Sequence, residues 1–443
     1  MKNASILVVL TFIVGLITND IGLTNQFLLL CSAILTVLYT RRTPLYGNFA
    51  KYIVLVGVYF SVVLIPSFHL IVDKNMPTQA DYNRFTSFGA PLYFITIIAF
   101  TLFDTKKKNN NQSIIQYEPV PLSNRFVNIF FVLIYSLTAI AFTLGIGRMG
   151  GEDVVLPFHL TGVINLFRFY AVSFIFAAIV ENYILRGELF PRKYFVLYFV
   201  WILFEIFAWM SKSVLVSYLL PLMGLLYMYY RPPLKKIIKL TAPLIALFLF
   251  LYPVIGIMRS MDSGNFIENM KEARSEAYDD NEDSHVLLTP LNRLFMTGPK
   301  YIRDYTYFNE DVLFDFTKLP MVIAAGGSPA FQTRVIDGFD ESAHTSSGTT
   351  GIIDPMFHGG LGLCYIIVVL LVIVAIKIDS QFWKRQFGIY VVLLIMIYNW
   401  ILFANLSALY DGNGLQTTFM EVSSIIFAYY INFRKKEIVS KPA

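Results

Sequence analysis

Three kinds of side chain in this sequence could do chemistry. The five histidines, His69, His159, His285, His344 and His358, all fall in segments that the charge distribution below places outside or at the outer boundary of a membrane. An imidazole titrates close to neutrality, so proton chemistry is expected on that face. A set of cations gathers at the same boundary: Arg148, Arg168, Lys212, Arg259, Arg293, Lys300 and Arg303. Arginine pairs with phosphate through two parallel bonds, whereas lysine offers a point charge. Either could instead snorkel toward headgroups. Several together point to an anionic, lipid-linked substrate. Three carboxylates complete the set. Glu205 lies deepest, in WILFEIFAW; Glu181 and Glu421 lie nearer span ends. A carboxylate at that depth suits a proton-coupled transporter, but an interhelical hydrogen bond or ion pair is the favoured reading. Glu421, near the outer end of the last span, is placed to reach a substrate cavity.

The elements that must hold these groups are apolar helices. Of 443 residues, 56% are hydrophobic and only 15% charged, with a mean hydropathy of +0.59. Soluble domains carry roughly 25% charge. A soluble enzyme, a disordered chain and a secreted disulfide scaffold are therefore excluded. Cys31 and Cys364 both sit in apolar stretches and read as small buried hydrophobes. The net charge of +5 is no sign of nucleic-acid binding, because basic residues of membrane proteins collect in cytoplasmic loops.

A membrane-spanning helix needs about 20 mostly apolar residues. Twelve stretches qualify: 4–19, 23–40, 50–72, 87–104, 125–146, 163–183, 194–210, 213–230, 239–258, 355–376, 387–405 and 416–433. The first resembles a signal peptide but has no convincing cleavage site, so a retained span is expected. The polar break Met210-Ser211-Lys212-Ser213 divides residues 194–230 into a hairpin. With the N-terminus inside, the basic residues alternate correctly. Arg41 and Arg42, Lys106 to Lys108, Arg186 and Arg192, Lys235 and Lys236, Lys384 and Arg385, and Arg434 to Lys436 all fall inside. The expected fold is thus all-α and polytopic, with about 12 transmembrane helices. Spans one to nine occupy 1–257. A large extracytoplasmic loop occupies 258–353. The last three spans and a cytoplasmic tail occupy 354–443.

That loop opens acidic, turns amphipathic over residues 287–308, as one or two helices near the membrane surface, and closes Gly/Ser/Thr-rich. A loop of this length is usually functional. No Walker A sequence, HExxH or CxxC spacing occurs, and Asp279-Asp280 belongs to a mixed acidic run rather than a DxD-like metal site. The cytoplasmic loops are short and basic. An ATP-driven pump and a transferase using a cytosolic nucleotide sugar are disfavoured.

The loop closes with His344-Thr-Ser-Ser-Gly-Thr-Thr-Gly and then Ile352-Ile-Asp-Pro-Met-Phe-His-Gly-Gly-Leu-Gly362, running directly into a span. This resembles the closing motif of bacterial oligosaccharide repeat-unit polymerases, the Wzy type that builds O-antigen, capsule and enterobacterial common antigen. O-antigen ligases share a related layout. The resemblance extends to the many spans, the late outer loop, Arg168 before the sixth span and Arg259 after the ninth. Where the family carries a Gly-Ser-Arg-like hairpin tip, this chain has Met-Ser-Lys-Ser. The resemblance implies a GT-C-like, metal-independent glycosyltransferase of the bacterial cytoplasmic (inner) membrane, without cofactor and with its site on the periplasmic side. Its substrates would be oligosaccharides on undecaprenyl pyrophosphate. Its surroundings would be membrane lipids and, in the same pathway, a chain-length regulator and a flippase. His344 would be the base and Arg259 the main cation. Arg168, Lys212, Arg293, Arg303, Arg148 and Glu421 would contact substrate. The alternatives are an O-antigen ligase acting on lipid A core, and a flippase or transporter of lipid-linked oligosaccharide. A flippase would not need the large loop and would carry more charges deep in its spans.

Overall fold

The computed structural model describes residues 22–67, 78–104, 117–147, 160–209, 213–230, 312–325, 354–383 and 433–435. It also describes single positions and short stretches at 154, 156, 157, 242, 246, 254, 255, 258, 272, 302, 305, 331, 423, 424, 426–428 and 430. The described chain is helical apart from one small ribbon, and five of its helices are long and apolar enough to cross a membrane. The expected spans 4–19 and 387–405 lie outside the described residues, and 239–258 and 416–433 are described only at scattered positions. The chain divides into two compact units, Met1–Ile114 with Leu291–Gln416 and Ile115–Pro290 with Thr417–Ala443.

In the first unit, α1 (Leu23–Arg42) buries Leu29, Ser32, Ala33, Thr36 and Tyr39 along one stripe. It exposes Leu23, Phe27, Leu30, Ile34 and Leu38 on the opposite one. The exposed stripe is apolar and the buried one mixes apolar residues with small hydroxyl side chains, as expected of a helix with protein on one side and acyl chains on the other. Thr36 and Tyr93 exchange a 2.7 Å hydrogen bond from α1 to α3 (Gln79–Phe103). A capping box of Thr78 and Asp81 starts α3. Between them in sequence, α2 (Phe49–Tyr59) continues through a π turn at Phe60–Leu64. Gly89 of α3 backs onto that turn: a Cβ there would lie 2.5 Å from the Val62 carbonyl oxygen. The start of α2 is capped from afar. The Asp379 carboxylate accepts from the N–H groups of Ala50 and Lys51, each at 3.0 Å. Negative charge at a helix N-terminus is favourable, and here it ties α2 to a helix more than 300 residues later. Lys51 donates to Asp104 and Asn48 at 2.9 Å, and Tyr39 donates to Asp104 at 2.8 Å.

In the second unit, α4 (Asn124–Leu144) is capped by Ser123 and ends at Gly145, whose φ of 71° closes the helix. Ile146 N–H reaches back to Ala141 O at 2.8 Å, satisfying a terminal carbonyl. It is followed by α5 (Leu160–Leu185), which carries a π turn at Phe167–Ala171. The helices α6 (Arg192–Trp209) and α7 (Ser213–Tyr230) bracket the polar break expected from sequence. Aromatics pack α6 against its neighbours: Phe176 of α5 stacks on Tyr198 at 3.8 Å, and Trp201 meets Tyr218 of α7 at 4.8 Å. Two short strands, β1 (Tyr117–Pro119) and β2 (Phe433–Lys435), pair antiparallel with Glu118 opposite Arg434. This ribbon is not legible in the sequence, since three-residue strands carry no periodicity.

Candidate functional site

The densest polar centre in the second unit is built on Arg168 and Glu205. Arg168 sits inside the π turn of α5. A π turn adds one residue to a helical turn and so turns the side chains of that stretch relative to the rest of the helix. Arg168 is fully buried, as is Glu205 on α6. The guanidinium meets the carboxylate with two bonds, Nε to Oε1 and Nη2 to Oε2, both 2.9 Å. Its Nη1 donates to the Ile146 carbonyl at 3.3 Å, and its plane lies 5.0 Å from the Trp209 ring.

The carboxylate is equally well served. Tyr218 donates to Oε2 at 3.4 Å, and the Thr138 hydroxyl approaches Oε1 closely. Thr138 has one proton and two acceptors in reach, Glu205 and the Ile134 carbonyl. The charged acceptor makes the stronger bond, so the proton goes to Glu205. Trp201 Nε1 in turn donates to Thr138 at 2.8 Å. The result is a neutral, closed ion pair spanning α4, α5, α6 and α7. Nearby, Asn165 Oδ1 and Trp209 Nε1 are buried without a hydrogen-bond partner among the described residues. They leave one acceptor and one donor for a water or a hydroxyl group.

The ion pair is the favoured reading of Glu205, and the structure supplies its partner. It also shows how Arg168 is committed: the Nε–Nη2 edge, the one best shaped for a bidentate phosphate contact, faces Glu205. Glu181 is buried and accepts from the Tyr229 hydroxyl at 2.9 Å. The other candidates, His344, Arg259, Lys212, Arg293, Arg303, Arg148 and Glu421, lie outside the described residues.

In the first unit, chemistry and unusual backbone meet at the start of α9 (Pro355–Trp383). Asp354 and His358 are both buried there, with Oδ2 and Nδ1 3.6 Å apart. Nδ1 also lies 3.2 Å from the Asp354 carbonyl oxygen. The pair sits four residues apart on one helical face, a spacing readable in Asp-Pro-Met-Phe-His. In sequence this stretch reads only as part of the loop-closing motif, and the pair goes unnoticed. The helix then breaks: Gly360 has φ +78°, in the left-handed region that favours glycine.

The break seats part of the expected outer loop. Gly362 N–H donates to Leu313 O at 2.6 Å, and Asp315 N–H to Gly359 O at 3.3 Å. A Cβ on Gly360 would lie 2.7 Å from Asp315 N, and one on Gly362 2.6 Å from the Phe314 ring. Asp315 closes a turn with Thr317, accepting from its N–H at 2.9 Å and its hydroxyl at 2.6 Å. Those two bonds hold the carboxyl of Asp315 below its usual range. Cys364 is buried, as expected of a small hydrophobe, and Cys31 is half-buried; neither forms a disulfide. Among the described residues, no group of three or more His, Cys, Asp and Glu side chains could hold a metal ion.

Comparisons of the chain with family models, with curated proteins and with solved structures returned no match.

Proposed function

We propose that this chain is a membrane glycosyltransferase that polymerises oligosaccharide repeat units carried on undecaprenyl pyrophosphate. The supporting observation is the use made of Gly-Gly-Leu-Gly. These glycines give backbone contact to residues 313–316, so a piece of the long loop rests on the helix start that follows His344 in sequence. Functional loops placed by a rigid scaffold are the usual way to assemble such a site. In this reading all twelve apolar stretches span the bacterial inner membrane in a GT-C-like arrangement, both termini are cytoplasmic, and residues 258–353 are periplasmic.

The acceptor hydroxyl of an incoming lipid-linked unit gives its proton to His344. The oxygen attacks the anomeric carbon of the growing glycan. The bond from that carbon to the pyrophosphate breaks, and undecaprenyl pyrophosphate leaves with the electron pair. General-base help of this kind is worth about 10²–10⁴-fold. Arg259, with Arg293, Arg303, Arg148 and Lys212, offsets the charge developing on the pyrophosphate, and Glu421 lines the acceptor side. Arg168, already neutralised by Glu205, acts by positioning α5 rather than by touching phosphate.

Deletion of the gene, followed by analysis of surface and lipid-linked glycan, tests the assignment. Single repeat units in place of polymer are the expected result. Polymer left on the carrier would make the chain a ligase, and intermediates trapped inside would make it a flippase.

A further inference from the structure

Residues 312–324 carry a surface that glycan transfer does not explain. Val312, Leu313, Phe314, Phe316, Met321 and Ile323 are each between 43% and 56% exposed. An apolar cluster of this kind, outside the spans, marks an interaction surface. The segment is held firmly. Its backbone is bonded to Gly359 and Gly362, its short helix α8 (Leu319–Ala324) buries Val322 completely, and Asp315 Oδ1 accepts twice from Thr317.

What covers the cluster follows from its register on α9. Among the described residues, Ile366, Leu370 and Val374 are the exposed large apolar residues of that helix, each four positions from the next. Four residues advance about 6 Å along a helix and stay on nearly one row. Gly362 is the preceding member of the row, and the Phe314 ring lies over the place where its side chain would be. The row that faces acyl chains in a membrane-spanning α9 therefore continues, without a polar gap, onto Phe314 and its neighbours.

We infer that residues 312–324 form an apolar wedge that inserts into the bilayer interface beside the N-terminal end of α9, with phospholipid as its occupant. Aromatic residues favour that depth, and a short amphipathic segment lies in the interface plane when its apolar side can be buried there. The segment holds one acid and one base, Asp315 and Lys318, so it needs no charged partner. The wedge does not rest on the glycan-transfer reading.

The test replaces Phe316 with a photoreactive phenylalanine analogue in the full chain, reconstituted in phospholipid vesicles. The same analogue at Leu370 reports a residue of the lipid-facing row. Upon irradiation, position 316 should form phospholipid adducts within about threefold of position 370. Met321 provides a second site should the 316 variant fail to fold. Adducts roughly tenfold fewer than at 370, or adducts to protein instead of lipid, would overturn the proposal.

Discussion

The two polar regions described above solve opposite problems. In the second unit, Arg168 and Glu205 are fully buried and satisfy one another inside a four-helix network. In the first unit, Asp354 and His358 sit where a helix breaks and a loop lies against glycine backbone. The first arrangement closes on itself. The second keeps an irregular backbone next to an ionisable pair, the combination in which functional sites are usually found. Depth in an apolar span is thus a weaker guide to function than it looks: a charge can be deep because another charge is waiting for it.

The largest effect should come from breaking the closed pair on one side. Arg168→Ala or Glu205→Ala leaves a buried charge uncompensated, at a cost of about 3–5 kcal/mol. Both variants should show much lower melting temperatures in detergent and reduced protein level. Arg168→Met combined with Glu205→Leu should recover most of that loss. A double variant as unstable as the singles would mean that the pair's hydrogen bonds to Thr138 and Tyr218, not its charges, hold the bundle.

Gly360→Ala comes next. It forces φ +78° on a residue with a Cβ and places that atom 2.7 Å from Asp315 N. About 1–3 kcal/mol of strain is expected. Because the contact is local, it should appear as faster amide exchange and proteolysis over 312–325, with little change at α4 or α5. Unchanged exchange there would show that the loop is held by something other than the glycine seat.

The smallest effect concerns the Asp315 turn. A carboxyl whose folded value is depressed stabilises above its unfolded value, near 3.8, and loses that contribution as pH falls through the lower folded value. The Thr317 amide should therefore stay protected through neutral and mildly acid pH and lose protection only below about pH 4. Asp315→Ala should remove the protection at every pH. Equal protection in both proteins would disconnect the turn from the carboxylate.

Much of the helical layout is legible in the sequence. The expected spans 23–40, 125–146, 163–183 and 213–230 lie on α1, α4, α5 and α7 to within a few residues, because apolar length alone marks them. What composition cannot carry is pairing across distance. Asp379 capping α2, Glu205 meeting Arg168 and β1 meeting β2 each join segments with no shared local pattern. The π turns at Phe60–Leu64 and Phe167–Ala171 are equally silent, since both keep the apolar character of their helices. Gly-Gly-Leu-Gly is legible as an unusual helix start, but its use as a seat for Leu313–Phe316 is not.

Reconstitution reads the proposed polymerisation without the intervening steps of a living cell. Purified protein in vesicles would be supplied with one undecaprenyl-pyrophosphate-linked repeat unit in excess EDTA. The expected result is a ladder of longer lipid-linked glycans, with undecaprenyl pyrophosphate released at each step, and loss of the ladder with His344→Ala but not with His285→Ala. A substrate that stays one unit long in the presence of the folded wild-type protein, or a ladder that appears only when Mg²⁺ or Mn²⁺ is restored, would contradict it.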